Sequence, residues 1–257
     1  MTLGILKTAL IYFIQFYCIS LLILYIFQRN VLYYPTPYVP HDYKSENFTI
    51  EGEDINVIKI NEKKENAIIY FGGNVEAVVL NAATFKEIFP KHAIYLVNYR
   101  GYGESTGDPS EKAFYSDALY IYDALKKRHS NISVIGRSLG SAMATHLAAH
   151  RPIHKMILTT PYDSILQIAQ DRFYIYPISV LLKDKYDSKS NVKNISSKTL
   201  ILLAQHDKII PLKYPLSLIK EFPKEQVIIE TILNVDHNFI VDSKQYQKSM
   251  SDFMSEQ

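Results

Sequence analysis

The sequence predicts an α/β fold, a mostly parallel, doubly wound sheet flanked by helices, and three observations predict it. Apolar runs rich in branched residues and leucine recur along the chain: Ala67–Phe71, Ala93–Asn98, Ile132–Ile135, Lys155–Thr160, Thr199–Leu203 and Val227–Ile232. Short runs of this kind, bounded by turn residues, read as strands buried on both faces. Helical stretches alternate with them, Glu76–Phe89, Glu111–Arg128 and Ser141–His150, as crossover connections in a parallel sheet require. The third observation is Gly136-Arg137-Ser138-Leu139-Gly140, set between one such strand and the helix that follows it.

The chain begins with an apolar segment, Ala9 to Phe27, that contains no charged residue. At about 1.5 Å per residue it approaches the ~30 Å hydrocarbon core of a bilayer. Residues 1–28 therefore read as a retained, single-pass membrane anchor. A cleaved signal peptide is the competing reading, because Cys18-Ile19-Ser20 loosely resembles a small-x-small site, but cleavage there would leave Leu21–Phe27 as a bare apolar tail. Lys7 on one side and Arg29 and Lys44 on the other nearly balance the positive-inside rule, with a lean toward placing the following domain on the non-cytoplasmic side. Residues 29–45, with Tyr33, Tyr34, Pro35, Pro37, Tyr38 and Pro40, read as a stiff, extended connector close to the headgroups.

Residues 46–257 hold the α/β unit. Phe48–Ile50 and Ile55–Ile60 predict a short antiparallel lead-in, Ser110 suits an N-cap before Glu111, and Ser243–Met254 predicts a closing amphipathic helix. The segment Ile165–Leu182 is rich in aromatic and branched residues, and too short for a large independent lid. Lining an apolar pocket and packing over the sheet edge are equally open to it.

Composition narrows the chemistry. A net charge of +2 with interspersed signs argues against a nucleic-acid partner. A lone cysteine, Cys18, excludes an intrachain disulfide, and the scattered histidines show no ligand spacing, so no metal is expected. His146 and His150 fall one turn apart on a polar helix face, and His92, His129 and His154 read as solvated. Arg100-Gly101-Tyr102-Gly103 lacks both a dinucleotide fingerprint and a P-loop lysine, so no cofactor is expected.

The pentapeptide around Ser138 reads as a nucleophile elbow. A sharp strand-to-helix turn lifts the hydroxyl clear of its neighbours, and the flanking glycines remove side chains that would collide there. Leu139 would offer a backbone N–H where an oxyanion forms. Asp207 and His237 follow, each just beyond the C-terminal end of a predicted strand, in the order nucleophile, acid, base. His237 would take the serine proton, and Asp207 would orient the imidazole and stabilise its charged form. Asp163, after the Lys155–Thr160 strand, is the rival acid, although Asp163-Ser164 also suits a helix start.

Tyr99-Arg100-Gly101-Tyr102-Gly103-Glu104-Ser105, Pro109-Ser110-Glu111, Asp117-Ala118, the Ser138 elbow, and His206-Asp207 with Ile209-Ile210-Pro211 together resemble the Bem46-like serine hydrolases. Gln28 to Pro35 resembles that family's juxtamembrane stretch. The resemblance implies an α/β-hydrolase fold behind an N-terminal transmembrane helix. It implies a Ser-His-Asp hydrolase that cleaves an ester, thioester or amide through an acyl-enzyme, of carboxylesterase, lipase or thioesterase type. It also implies that the backbone N–H of Asn74, in the turn Gly72-Gly73-Asn74, pairs with that of Leu139 as an oxyanion hole. The chain departs from the family pattern at Gly72, Ala204 and Asp236. The resemblance does not specify a substrate; proximity to the membrane favours a small or lipid-like acyl compound. A serine peptidase, or a catalytically silent hydrolase fold used as a membrane scaffold, is the alternative.

Overall fold

The computed structural model describes residues 2–256, with side chains from residue 4 onward. Its centre is one eight-stranded sheet: β1 (Lys44–Ile50), β2 (Glu53–Ile60), β3 (Asn66–Phe71), β4 (His92–Val97), β5 (Asn131–Arg137), β6 (Lys155–Thr159), β7 (Lys198–Ala204) and β8 (Val227–Ile232). The strand order is β1-β2-β4-β3-β5-β6-β7-β8. β1 and β2 form an antiparallel pair and β2 runs antiparallel to β4, while every pairing from β4 to β8 is parallel. The chain reverses its direction of travel across the sheet around β3, and the crevice between the β3 and β5 C-terminal ends is the switch point where such sheets place their ligands.

Nine helices are described: α1 (Thr2–Leu32), α2 (Ala82–Ile88), α3 (Glu111–Lys126), α4 (Leu139–His150), α5 (Ile165–Arg172), α6 (Ile178–Leu181), α7 (Ser188–Asn191), α8 (Lys213–Ile219) and α9 (Lys244–Ser255). Side chains alternate along β3 to build two cores. Ala67, Ile69 and Phe71 join Phe114 and Ile121 of α3, Met143 and Leu147 of α4, and Leu218 of α8. Ile68 and Tyr70 face the other way, onto Phe85 of α2 and Met250 and Phe253 of α9. Both faces of β3 to β7 are thus covered, which is why these strands read as unbroken apolar runs, whereas β8, expected to be buried on both faces, is an edge strand with Ile228 and Ile229 exposed.

Several sequence expectations need correcting. The helix expected from Glu76 begins only at Ala82, after a 3₁₀ turn at Val78–Asn81, because Glu76 is engaged elsewhere, as described below. His129 is buried, its ring nitrogens 2.7 Å from the Tyr95 hydroxyl and 2.9 Å from the Lys64 carbonyl. His146 stacks on Tyr115 with ring centroids 3.8 Å apart, and burial, then the neighbouring His150 and Arg151, lowers its pKa to about 4. The connector, expected to be extended throughout, is helical at its start. Helix α1 runs on to Leu32, Tyr33 is buried with its hydroxyl 2.7 Å from that of Tyr186, and the Thr36 carbonyl accepts the Gly103 N–H.

Helix α1 from Gly4 to Leu32 is long and apolar enough to cross a membrane. Most of its side chains are exposed, but Tyr17, Ser20, Leu21, Leu24, Gln28 and Leu32 form a half-buried stripe at helical spacing. That stripe lies against the segment containing α5 and α6.

Candidate active site

Ser138 joins β5 to α4 with φ of 50° and ψ of −115°, a conformation that an L-residue holds only when its surroundings impose it. Its N–H donates to the Thr159 carbonyl at 2.9 Å. The two glycines make the turn sterically feasible. A Cβ at Gly136 would lie 2.4 Å from the Gly140 carbonyl oxygen, and one at Gly140 would lie 2.0 Å from the Phe71 carbonyl oxygen. Backbone therefore sits directly on backbone where the elbow meets β3.

Three strand ends bring Ser138, His237 and Asp207 together. His237 is buried, with Nε2 2.9 Å from Ser138 Oγ and Nδ1 2.8 Å from Asp207 Oδ2. The second carboxylate oxygen of Asp207 accepts the N–H groups of Ile209 and Ile210 at 2.9 and 2.8 Å. One oxygen is thereby fixed by the turn and the other is aimed at the imidazole. Asp236, next to the histidine, accepts the N–H groups of Asn238 and Phe239 at 2.9 and 3.1 Å, so its carboxylate shapes its own turn. Asp163, the rival acid, is buried with Oδ1 accepting the N–H of its neighbour Ser164 at 2.7 Å, whereas the His237 imidazole bonds to Asp207.

The turn after β3 is held by side chains that sequence reasoning missed. Glu76 accepts the Gly73 N–H at 2.7 Å, the Tyr70 hydroxyl at 2.5 Å and the Asn81 amide at 2.6 Å, and pairs with Arg137 at 2.7 Å. Arg137 reaches on to the carbonyls of His237 and Asn238 at 3.1 and 3.2 Å. Burial alone would make the guanidinium easier to deprotonate, but the Glu76 charge outweighs it and holds the group firmly cationic. One buried ion pair thus spans from the β3 turn to the histidine loop. The signal was present in the sequence: Arg137 inside the elbow motif, and a carboxylate three residues beyond a turn glycine, the spacing of a side chain that bonds back to a free N–H.

The Tyr99–Gly103 motif buttresses the same turn. The Tyr99 hydroxyl donates to the Gly72 carbonyl at 2.7 Å and the Tyr102 hydroxyl to Asn74 Oδ1 at 2.8 Å. Desolvation, reinforced by Glu76, pushes the Tyr99 phenol well above its usual range, so it stays a donor. Arg100 makes a buried, bidentate pair with Asp117. The Asn74 amide also donates to the Leu32 carbonyl at 2.6 Å and accepts the Tyr34 N–H at 3.2 Å. Leu139 opens α4, so its N–H has no intrahelical acceptor. Among the described residues, no cluster of three or more histidine, cysteine, aspartate or glutamate side chains is disposed to hold a metal.

A family model described as alpha/beta hydrolase fold matches residues 66–181. This match and the sheet topology show an α/β-hydrolase fold. Among curated proteins the chain is 28% identical over 187 residues to a lysophosphatidylserine lipase, ABHD12, of Xenopus tropicalis, covering 61% of this chain and 48% of that one. It is 29% identical over 152 residues to an uncharacterized protein of Mycobacterium tuberculosis, covering 57% and 53% of the two chains. The chain thus spans about half the length of the curated relatives it matches. Among solved structures it is similar to Est1E of Butyrivibrio proteoclasticus with ferulic acid bound, with a TM-score of 0.68, 17% identity, and coverage of 81% of this chain and 97% of that one. Pyrococcus furiosus esterase Pf2001 aligns with a TM-score of 0.67 at 14% identity, covering 86% and 96%.

Proposed function

We propose that the protein is a membrane-anchored serine hydrolase that cleaves a carboxylic ester through a Ser138–His237–Asp207 triad. The observation that carries this reading is the continuous Ser138–His237–Asp207 hydrogen-bond chain, assembled from three strand ends around a strained serine. With its proton on Nδ1, His237 accepts the Ser138 proton at Nε2 as Oγ attacks the substrate carbonyl carbon. The carbonyl π pair moves to oxygen, and the backbone N–H groups of Asn74 and Leu139 stabilise that oxyanion. Collapse expels the alcohol, which takes the proton from His237 and leaves an acyl-serine. Water, deprotonated by the same imidazole, then releases the acid. Asp207 keeps the imidazole in the working tautomer and offsets its transient charge.

The esterase and lipase relatives favour an ester over an amide or thioester, and the lysophosphatidylserine lipase among them supports a lipid ester. Helix α1 supports membrane attachment by its length and apolar surface. The test is fluorophosphonate labelling of the full chain. Wild type should label and hydrolyse p-nitrophenyl butyrate, and Ser138→Ala should do neither while retaining its circular dichroism spectrum. Labelling of the variant at the wild-type rate would refute the assignment.

A further inference from the structure

We infer that helix α1 is also a wall of the substrate site: it forms, with α5 and α6, an apolar pocket for a single acyl chain that enters from the bilayer. This inference rests on the hydrolase reading above and adds the substrate's shape and route of entry to it.

Between Tyr17 and Arg29 the helix is clamped to residues 175–184, the stretch through and just beyond α6. Tyr17 donates to the Ile175 carbonyl at 2.7 Å and stacks on Tyr176. Gln28 donates to the Leu181 carbonyl at 3.2 Å and accepts the Lys183 N–H at 2.7 Å. Arg29 grips the buried carboxylate of Asp184 at 2.8 Å. These contacts consume the polar groups of the stripe and leave its apolar ones facing a cavity of about 260 Å³, lined by Leu24, Tyr25, Leu32, Ile165, Ile168 and Phe173 among others. That volume falls just under the roughly 300–1,000 Å³ usual for small-molecule pockets. One acyl chain suits it better than two.

Both ends of the cavity point to this occupant. At the inner end, Leu32 and Tyr34 line the pocket, and their backbone groups are bonded to the side chain of Asn74, the proposed oxyanion residue. A chain in the pocket therefore ends beside the place where its ester carbonyl must sit. Near the outer end, Tyr174, Ile175 and Val180 are exposed beside the helix, an apolar tip positioned where α1 enters lipid. A single-chain amphiphile can pass from the bilayer into the pocket along α1 without its chain crossing water.

The test compares turnover of p-nitrophenyl laurate with p-nitrophenyl butyrate by the full chain in nanodiscs. Each further methylene accommodated should raise kcat/KM by up to about fourfold until the pocket is full. Leu24→Trp, which fills the pocket from the anchor side, should lower the laurate-to-butyrate ratio at least tenfold, whereas Ile23→Trp, exposed on the other face of the same helix, should keep the wild-type ratio. Ile168→Trp fills the pocket from α5 and gives the same readout if Leu24→Trp does not fold. A wild type that labels with fluorophosphonate but shows no chain-length preference, or an unchanged ratio in both filling variants, overturns the pocket alone. Failure of the wild type to label overturns the hydrolase reading and the pocket with it.

Discussion

The floor and the roof of the site are held by different forces. The floor, made by the elbow and the β3 turn, is fixed by a buried ion pair, phenolic hydrogen bonds and backbone contacts too close for a side chain. The roof, made by α1, α5 and α6, rests on half-buried apolar contacts with a few polar clamps, and no residue of α5 is fully buried. Chemistry that needs sub-ångström placement sits on the rigid part. Shape selection sits on the part that can change without disturbing it.

The sharpest way to break this comparison is at the triad. Asp207→Asn should lower kcat by about 10⁴-fold with a small change in KM, since the carboxylate acts as the imidazole charges. Asp163→Asn, removing a carboxylate that only caps its own turn, should leave kcat close to wild type. Steady-state kinetics on a short ester checks both, and reversed effects would reassign the acid.

Next in size is the floor's ion pair. Glu76→Gln leaves the Arg137 charge buried without its partner, a change that costs about 3–5 kcal/mol. For a chain of this size the melting temperature should fall by roughly 10 °C. Glu76→Leu combined with Arg137→Met should recover much of that stability, because apolar replacement of a buried pair is often neutral. Its kcat should stay low, since the Gly73 N–H and the His237 loop both lose their partners. Recovery of kcat along with stability would show the pair to be structural only.

On the roof, Asp184→Asn weakens the grip on Arg29 and on the α3 N-terminus. The expected result is faster proteolytic nicking between residues 173 and 184, with a melting temperature within a few degrees of wild type.

The smallest effect concerns His146 on the elbow helix. Its pKa is depressed by burial to about 4 from the ordinary 6.5, so the unfolded chain binds a proton more readily than the folded one. Its contribution to stability is complete above about pH 6.5 and is lost as pH falls toward 4. His146→Phe should flatten the dependence of urea midpoint on pH across that window.

What was legible in the sequence follows from what is local. Strand runs, the elbow and the order of Ser138, Asp207 and His237 are written in short patterns, because the central strands β3 to β7 are buried on both faces and each site residue sits at or just beyond a strand's end. The Ser110 cap was legible for the same reason and accepts the Ala113 N–H, while Ser243, expected to open the last helix, caps it instead. Glu76 read as helix because its acceptor role depends on Arg137, two helices and two strands further along the chain. Tyr17 and the other tyrosines of α1 suit a packed helix, but what the helix packs against was hidden, because Tyr17, Ser20 and Gln28 point to no partner until residues 175–183 are in place. His129 looked solvated for want of Tyr95 beside it.

The close approach at Gly140 has a consequence for how this gene can drift. Every single-base missense change of a glycine codon introduces a residue with a Cβ, and at this position that atom would fall 2.0 Å from a carbonyl oxygen of the central strand. The same holds at Gly136 against the elbow's own helix. Two codons flanking the nucleophile therefore have no missense neighbour that the backbone accepts unmoved, whereas the apolar residues lining the roof can be exchanged one methylene at a time. On the acyl-pocket proposal, lineages of this protein can explore acyl preference step by step while the elbow stays where it is.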